Sequence, residues 1–313
     1  MRRGNHTTVT EFIFVGFSDV PEIRYFLFSV FICTLTMTLL AHMSLIVLYK
    51  VSANLHTPMY FFLANFSFLE ICYVSTITPK ILVNLLSGDK SITFYGCALQ
   101  MYCFLLLGST ECYMLAAMAY DRYNAICHPL LYNITMSSDA CFKLIVASWT
   151  ICFMVAIIQT FLTFSLPFCG PNKINNFYCD IPPIMALACT DTQFNEIITF
   201  IFVLCVVVGS FLLIIVSYTR IILTILKSHS SAGITKAFST CTSHLIVVTI
   251  YYGSGSAMYL RPKSSYGTDL DKFMSLMYTI VAPLLNPFIY SLRNNDVKCA
   301  IKKMICNVKV AQL

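Results

Sequence analysis

Residues 118–132 read MAYDRYNAICHPLLY. An apolar run arrives at Asp121, Arg122 and Tyr123, continues for a turn and stops at Pro129. Two readings of the charged pair are open: a solvated helix end, or a charged latch on a surface that meets another protein. The choice turns on the solvent around the preceding run. The 313-residue chain is 58% hydrophobic and 11% charged, with a mean hydropathy of +0.76. A soluble domain carries about a quarter charged residues. Such a surface suits lipid rather than water.

A spanning helix needs about 20 mostly apolar residues. Seven windows qualify, at 24–49, 57–80, 93–126, 140–166, 196–226, 237–260 and 270–292. Short polar segments such as SGDKS (87–91) and LRPKSSYGTD (260–269) separate them. Ten-residue alternating strands are missing, which argues against a barrel. The expected fold is an all-α membrane protein, a seven-transmembrane helix bundle forming one domain over 1–313. Residues 1–23 form its N-terminal segment, 24–292 the bundle and 293–313 the tail. The first 20 residues carry no cleavable signal pattern, so insertion is expected to rely on the first span.

Lysine and arginine placement orients the bundle. With Asn5 outside, eleven bases and three acids fall on the inner side, against nine bases and nine acids on the outer side. The N-terminus is therefore expected to be extracellular and the C-terminus cytoplasmic. Asn5, in NHT, is a glycosylation sequon on the outer side. Asn65 (NFS) falls inside a span and Asn133 (NIT) on the cytoplasmic side, and neither is expected to be used. Cys97 begins the third span, and Cys169, Cys179 and Cys189 lie in an outer loop, where oxidising space favours disulfides. In the tail, Val297, Ala300, Ile301, Met304 and Ile305 recur at helical spacing with Lys298, Lys302 and Lys303 between them. This pattern predicts a short amphipathic helix on the inner leaflet. Cys299 and Cys306 there are open to palmitoylation or to remaining plain thiols.

Glu70 and Glu111 fall near the middle of the second and third spans. A charge at mid-bilayer costs about 2.5–3.5 kcal/mol even on lenient scales. They are read either as protonated carboxyls that tie helices together, or as a shared site for a sodium ion or proton. Two close carboxyls resist ionising together. His42 in the first span is a candidate third member. No other cofactor and no metal is expected. No HExxH, GxSxG or phosphate-cradling loop marks an enzyme; GSGSA (253–257) lacks the following lysine. A transporter would show paired broken helices in matching halves. Pro283 and Pro287 in the last span have no such counterpart, so transport stands as the distant alternative.

Five stretches carry a family resemblance: LHTPMYFFL (55–63), MAYDRYNAICHPLLY (118–132), SY (217–218), KAFSTCTSHLIVV (236–248) and PLLNPFIYSLRN (283–294). In order and spacing the chain resembles the olfactory (odorant) receptors, a branch of the rhodopsin-like G-protein-coupled receptors. The KAFSTC form is more similar to the terrestrial-type class. The resemblance implies a receptor in the plasma membrane, and in olfactory cilia, that binds a small-molecule odorant. It would activate a stimulatory heterotrimeric G protein of the olfactory type, raising cyclic AMP. Membrane lipid and trafficking chaperones would be further partners, and nucleic acid would not.

On this resemblance Asp121, Arg122 and Tyr123 match the family's inner triplet, and the latch reading is preferred. Asp121 neutralises Arg122 at rest, and outward movement of the sixth helix frees the guanidinium for the G protein. Tyr218 and Tyr290 match tyrosines that approach that arginine in the active form. Lys236 through His244 form the transducer-facing end of the sixth helix. Asn286, Pro287 and Tyr290 match NPxxY, whose proline bends the helix. Cys97–Cys179 matches the family's link from the third helix to the outer loop. Cys169–Cys189 would be a second link within that loop, which would then lid the cavity.

The family's ligand cavity lies between helices three, five, six and seven. Leu105, Gly108, Ser109 and Cys112 share one face of the third helix, with Met101 a turn outward. Phe202, Val203 and Val206 match on the fifth, Tyr252, Gly255, Ser256 and Tyr259 on the sixth, and Tyr278 and Thr279 on the seventh. This apolar lining with a few hydroxyls suits a small uncharged volatile. Glu111 points about 60° away from that face. The chain departs from the family at Ala41-His42, where GN is common, at Asn124, where valine is usual, and at Glu70, where aspartate is commoner. A receptor of this architecture for a ligand other than an odorant is the nearer alternative.

Overall fold

The structure, a computed structural model, describes residues 9–16, 20–227, 231–259, 269–293 and 296–303. Long apolar runs form helices because a helix satisfies its own backbone where no water is available. In chain order these are α1 (Pro21–Val51), α2 (Pro58–Ser87), α3 (Phe94–Cys127), α4 (Ser138–Phe164), α5 (Gln193–Lys227) and α6 (Ser231–Tyr259). Helix α7 runs through Asp269–Leu276, a π-helical turn at Met277–Val281, and Ala282–Arg293. Residues 296–303 form α8. Local chemistry sets the ends. Pro21 and Pro58 open α1 and α2, where a missing N–H costs nothing. Thr93 and Ser137 cap α3 and α4 by accepting from Gly96 and Ala140. Gly88, at φ 76°, ends α2 in the left-handed conformation.

Among the described residues six helices are long and apolar enough to cross a membrane, and α6, with 29 residues, supplies the seventh rod. In its apolar window α3 is 72% buried, against 22% for α1 and for α5, so α3 is the central rod and the others turn broad faces to lipid. All seven expected windows fall on these helices. A second π turn, Leu204–Val208 within α5, has no signature in the apolar pattern.

The all-α expectation needs one amendment. A three-stranded sheet of β1 (Glu11–Phe14), β2 (Ser91–Thr93) and β3 (Lys173–Ile174), in the order β2-β1-β3, caps one end of the bundle. Strand β1 runs antiparallel to β2, with Phe12 opposite Ile92, and parallel to β3. Strands of two to four residues are too short for alternation to be read, and their partners are distant in sequence. Phe12 is wholly buried, stacked on Phe94 with centroids 6.0 Å apart and edge-on to Phe164 and Phe168. At the other end α8 amends the tail reading. Val297 and Ala300 are buried in the protein core, which leaves Ile301 as the exposed apolar residue. Tyr60 of α2 donates to Asp296 at 3.1 Å beside it. Asn5, Met304, Ile305 and Cys306 lie outside the described residues.

Because Phe12 anchors the N-terminal strand to α3 and α4, Phe12→Ala is expected to cost about 3–5 kcal/mol. Thermal unfolding of the detergent-solubilised protein measures it, and an unchanged melting temperature would refute the docking of this strand.

Candidate functional site

Toward the sheet end, the bundle encloses a cavity of about 60 Å³ open to the centre of a water molecule, several times the roughly 10–15 Å³ that one water needs. Leu105, Gly108, Ser109 and Cys112 line it from α3, and Phe202, Val203 and Val206 from α5. Tyr252 and Gly255 come from α6 and Tyr278 from α7. Helical spacing brings these together because i, i+3, i+4 and i+7 share a face. Met101, Ser256 and Thr279 are corrections, since they stand off the wall. Met101 is wholly buried in the turn of α3 that the 165–192 loop covers. Ser256 and Thr279 each neighbour a lining residue, and adjacent helical residues point about 100° apart. Thr279 donates instead to the Ser275 carbonyl at 2.6 Å. The side chain of Tyr259 lies outside the described residues. Tyr73, Phe104, Val207 and Tyr251 also line the cavity. Phe104 and Tyr251 are immediate neighbours of expected lining residues, whereas Tyr73 enters from α2, a helix the expected cavity did not include.

A fixed roof covers the cavity. Cys97 bonds Cys179 and Cys169 bonds Cys189, with Cα separations of 5.5 and 5.7 Å. Gln100 accepts from the Cys179 N–H at 3.0 Å and donates to the Thr76 carbonyl at 3.2 Å, so the loop is tied to both α3 and α2. Tyr178 then lies on Phe104, centroids 4.9 Å apart, and its hydroxyl meets that of Tyr278 at 2.5 Å.

Below the cavity sits a polar layer. Glu70 and Glu111 are both wholly buried, and Glu70 Oε2 and both Glu111 oxygens have no hydrogen-bond partner among the described residues. Asn286 donates to Glu70 Oε1. His42 is near the same depth but engages differently: its Nε2 donates to the Pro283 carbonyl at 3.0 Å. Pro287 has no N–H, so the carbonyl four residues before it, that of Pro283, loses its helical partner. His42 replaces that partner from α1, which fixes the proton on Nε2. His42 was a candidate third member of the carboxyl site; the contact it makes is with the break in α7.

At the opposite end Asp121 is wholly buried. Arg122 reaches it through Nη2 at 2.7 Å and Nε at 3.1 Å, while Tyr132 donates to its other oxygen at 2.7 Å. Tyr132 was missed because it stands eleven residues along, on a one-turn helix, Tyr132–Thr135, that folds back beneath α3. The Tyr218 hydroxyl is hydrogen-bonded to His244 Nδ1 at 2.9 Å, joining α5 to α6. The Tyr290 hydroxyl is buried without a partner among the described residues, its ring edge-on to Phe66. Tyr123 pairs with His128 at 2.9 Å and faces outward. The side chain of Lys236 lies outside the described residues.

The olfactory receptor family profile matches residues 30–308. Olfactory receptor 5AP2 of Mus musculus is 50% identical over 306 residues, covering 98% of this chain and 96% of its own length. Olfactory receptor 5A2 of Homo sapiens is 48% identical over 299 residues, covering 96% and 92%. In three dimensions the crystal structure of squid rhodopsin aligns with a TM-score of 0.73 at 16% identity, over 92% of this chain and 82% of that one.

The His42 contact yields a graded expectation. His42→Ala leaves the Pro283 carbonyl buried and unsatisfied, at a cost of about 1–3 kcal/mol, whereas His42→Asn restores a donor and recovers part of the loss. Melting temperatures of the two purified variants check the order, and equal values would sink the repair role.

Proposed function

The chain belongs to the olfactory receptor family, and on that premise we propose that it binds small, mostly apolar volatile molecules in the cavity at the sheet end and activates a stimulatory heterotrimeric G protein, raising cyclic AMP. As a family member it is a multi-pass membrane receptor, not an enzyme. In the proposed orientation the sheet faces the cell exterior and Arg122 the cytoplasm, in the plasma membrane of olfactory cilia. A trafficking chaperone brings it there. A sodium ion or a proton neutralises the Glu70 and Glu111 carboxyls, a reading supported by the buried oxygens without a hydrogen-bond partner among the described residues, Glu70 Oε2, both of Glu111 and Asn286 Oδ1.

The observation that carries this reading is that α6 serves both ends. Tyr252 and Gly255 stand in the cavity wall, and His244, eight residues earlier, bonds Tyr218 at the Arg122 end. Eight residues of helix span about 12 Å. A ligand that pushes on Tyr252 therefore acts on the rod whose other end covers the latch. When that end swings away, Arg122 exchanges Asp121 for the G protein's terminal helix, and Tyr218 leaves His244 to meet it. Tyr290, with its hydroxyl unpaired among the described residues, is ready to join them.

Two variants separate the latch from its release. Arg122→Ala is expected at the cell surface at ordinary levels with no cyclic-AMP response to any odorant; full signalling by a normally expressed mutant would refute the role. Tyr132→Phe removes one of the two donors on Asp121 and is expected to raise basal cyclic AMP severalfold, since a hydrogen bond to a charged group contributes about 1.5–3 kcal/mol. A reporter-cell assay without ligand reads it, and basal activity at or below wild type would contradict the clamp.

A further inference from the structure

The hydroxyl protons around the cavity are almost all committed to the protein. Ser109 donates to the Leu105 carbonyl at 2.5 Å, and Tyr251 to the Gly108 carbonyl at 2.8 Å. The Tyr252 hydroxyl lies 2.7 Å from that of Ser210 and 3.3 Å from the Cys112 carbonyl. Tyr278 is paired with Tyr178. Tyr73 is different. Its ring stacks on Phe104 with centroids 5.8 Å apart, and its hydroxyl makes no hydrogen bond to any described residue although the residue lines the cavity. A buried donor without a partner is unfavourable until something accepts from it.

Space has been left in front of that donor. Across from it stands Gly108, where an added Cβ would lie 3.9 Å from the Tyr73 hydroxyl oxygen and 3.4 Å from that of Tyr251. The glycine is not needed for its backbone, which is ordinary α3 helix; alanine would be the better helix former there. What it supplies is room beside the two phenols. Among the described residues no cation lines the cavity to receive a carboxylate.

We infer that Tyr73 is the specificity-determining donor of this cavity, and that its ligands are compact, neutral, largely hydrocarbon molecules whose acceptor oxygen (a ketone, aldehyde or ester) is turned toward α2. The inference rests on the odorant-binding reading and adds which functional group is read and by which residue. Phe104, Phe202, Val203 and Val206 supply contact area that is indifferent to functional group. Tyr73 Oη donates to the ligand oxygen.

The test is a cyclic-AMP dose–response series on the full chain in reporter cells. Its probes are small aliphatic ketones, aldehydes and esters, each matched to the alkene in which a methylidene carbon replaces the carbonyl oxygen. Wild type is expected to respond to the carbonyl member at a concentration roughly three- to tenfold lower than to its alkene, the scale of one neutral hydrogen bond. Tyr73→Phe, at matched surface level, keeps the ring and its stacking and is expected to close that gap. Gly108→Ala fills the space before the hydroxyl, must narrow the gap too, and stands as the deciding variant if Tyr73→Phe fails to reach the surface. A gap that survives in the expressed variants, or a wild type without one, overturns the role of Tyr73 alone. Silence of the wild type toward every compound overturns the odorant reading and this inference with it.

Discussion

Hydrocarbon offers no partner to an N–H or a carbonyl, so every backbone polar group in the bundle must be satisfied from inside the protein. The rods follow from that constraint, and so do the places where the rods are imperfect. Pro287 deletes one hydrogen bond in α7 and leaves the Pro283 carbonyl bare. In water a solvent molecule would repair the defect. Here a side chain from another helix does it, His42 Nε2 at 3.0 Å, and the repair sets the depth and rotation of α1 against α7. Glu70 and Asn286 join α2 to α7 at the same level. The polar groups in the middle of the bundle thus bind helices together, since leaving any of them alone is more costly in lipid than in water.

Above and below this layer the chemistry differs in kind. Toward the sheet the interior is aromatic and aliphatic, roofed by a loop held through two disulfides and Gln100. Toward Arg122 it is a set of charged and phenolic groups that bind each other, Asp121 between Arg122 and Tyr132, and Tyr218 with His244. Helix α3 connects the two. Cys112 on the cavity and Asp121 in the clamp are nine residues apart, about 14 Å along one rigid rod. Packed helices shift between discrete arrangements rather than deform smoothly, so a guest that changes how α6 sits on α3 has only a few outcomes open to it.

Burial speaks against the solvated-end reading of Asp121. A solvated helix end would leave the carboxylate wet; Asp121 instead has no accessible surface and both oxygens are occupied. That burial depends on Tyr132, whose return beneath α3 follows from the break at Pro129. The proline that ended the quoted stretch is therefore part of what buries the pair.

Hydropathy depends only on local composition, so the sequence alone determined the number and position of the spans and the stations of Glu70, Glu111 and Arg122. Ten of the residues that the family resemblance pointed to line one cavity. Rotation of each helix about its axis was left open, because in lipid an apolar residue is equally at home facing a neighbour or facing hydrocarbon, and the apolar pattern loses its inward bias. For that reason only the tertiary structure decided that Tyr73 of α2 reaches the cavity and that His42 serves Pro283 rather than Glu70. Tertiary packing also decided that Phe12 closes a sheet built from three distant segments, since β-pairing between short strands is carried by their partners and not by their own residues.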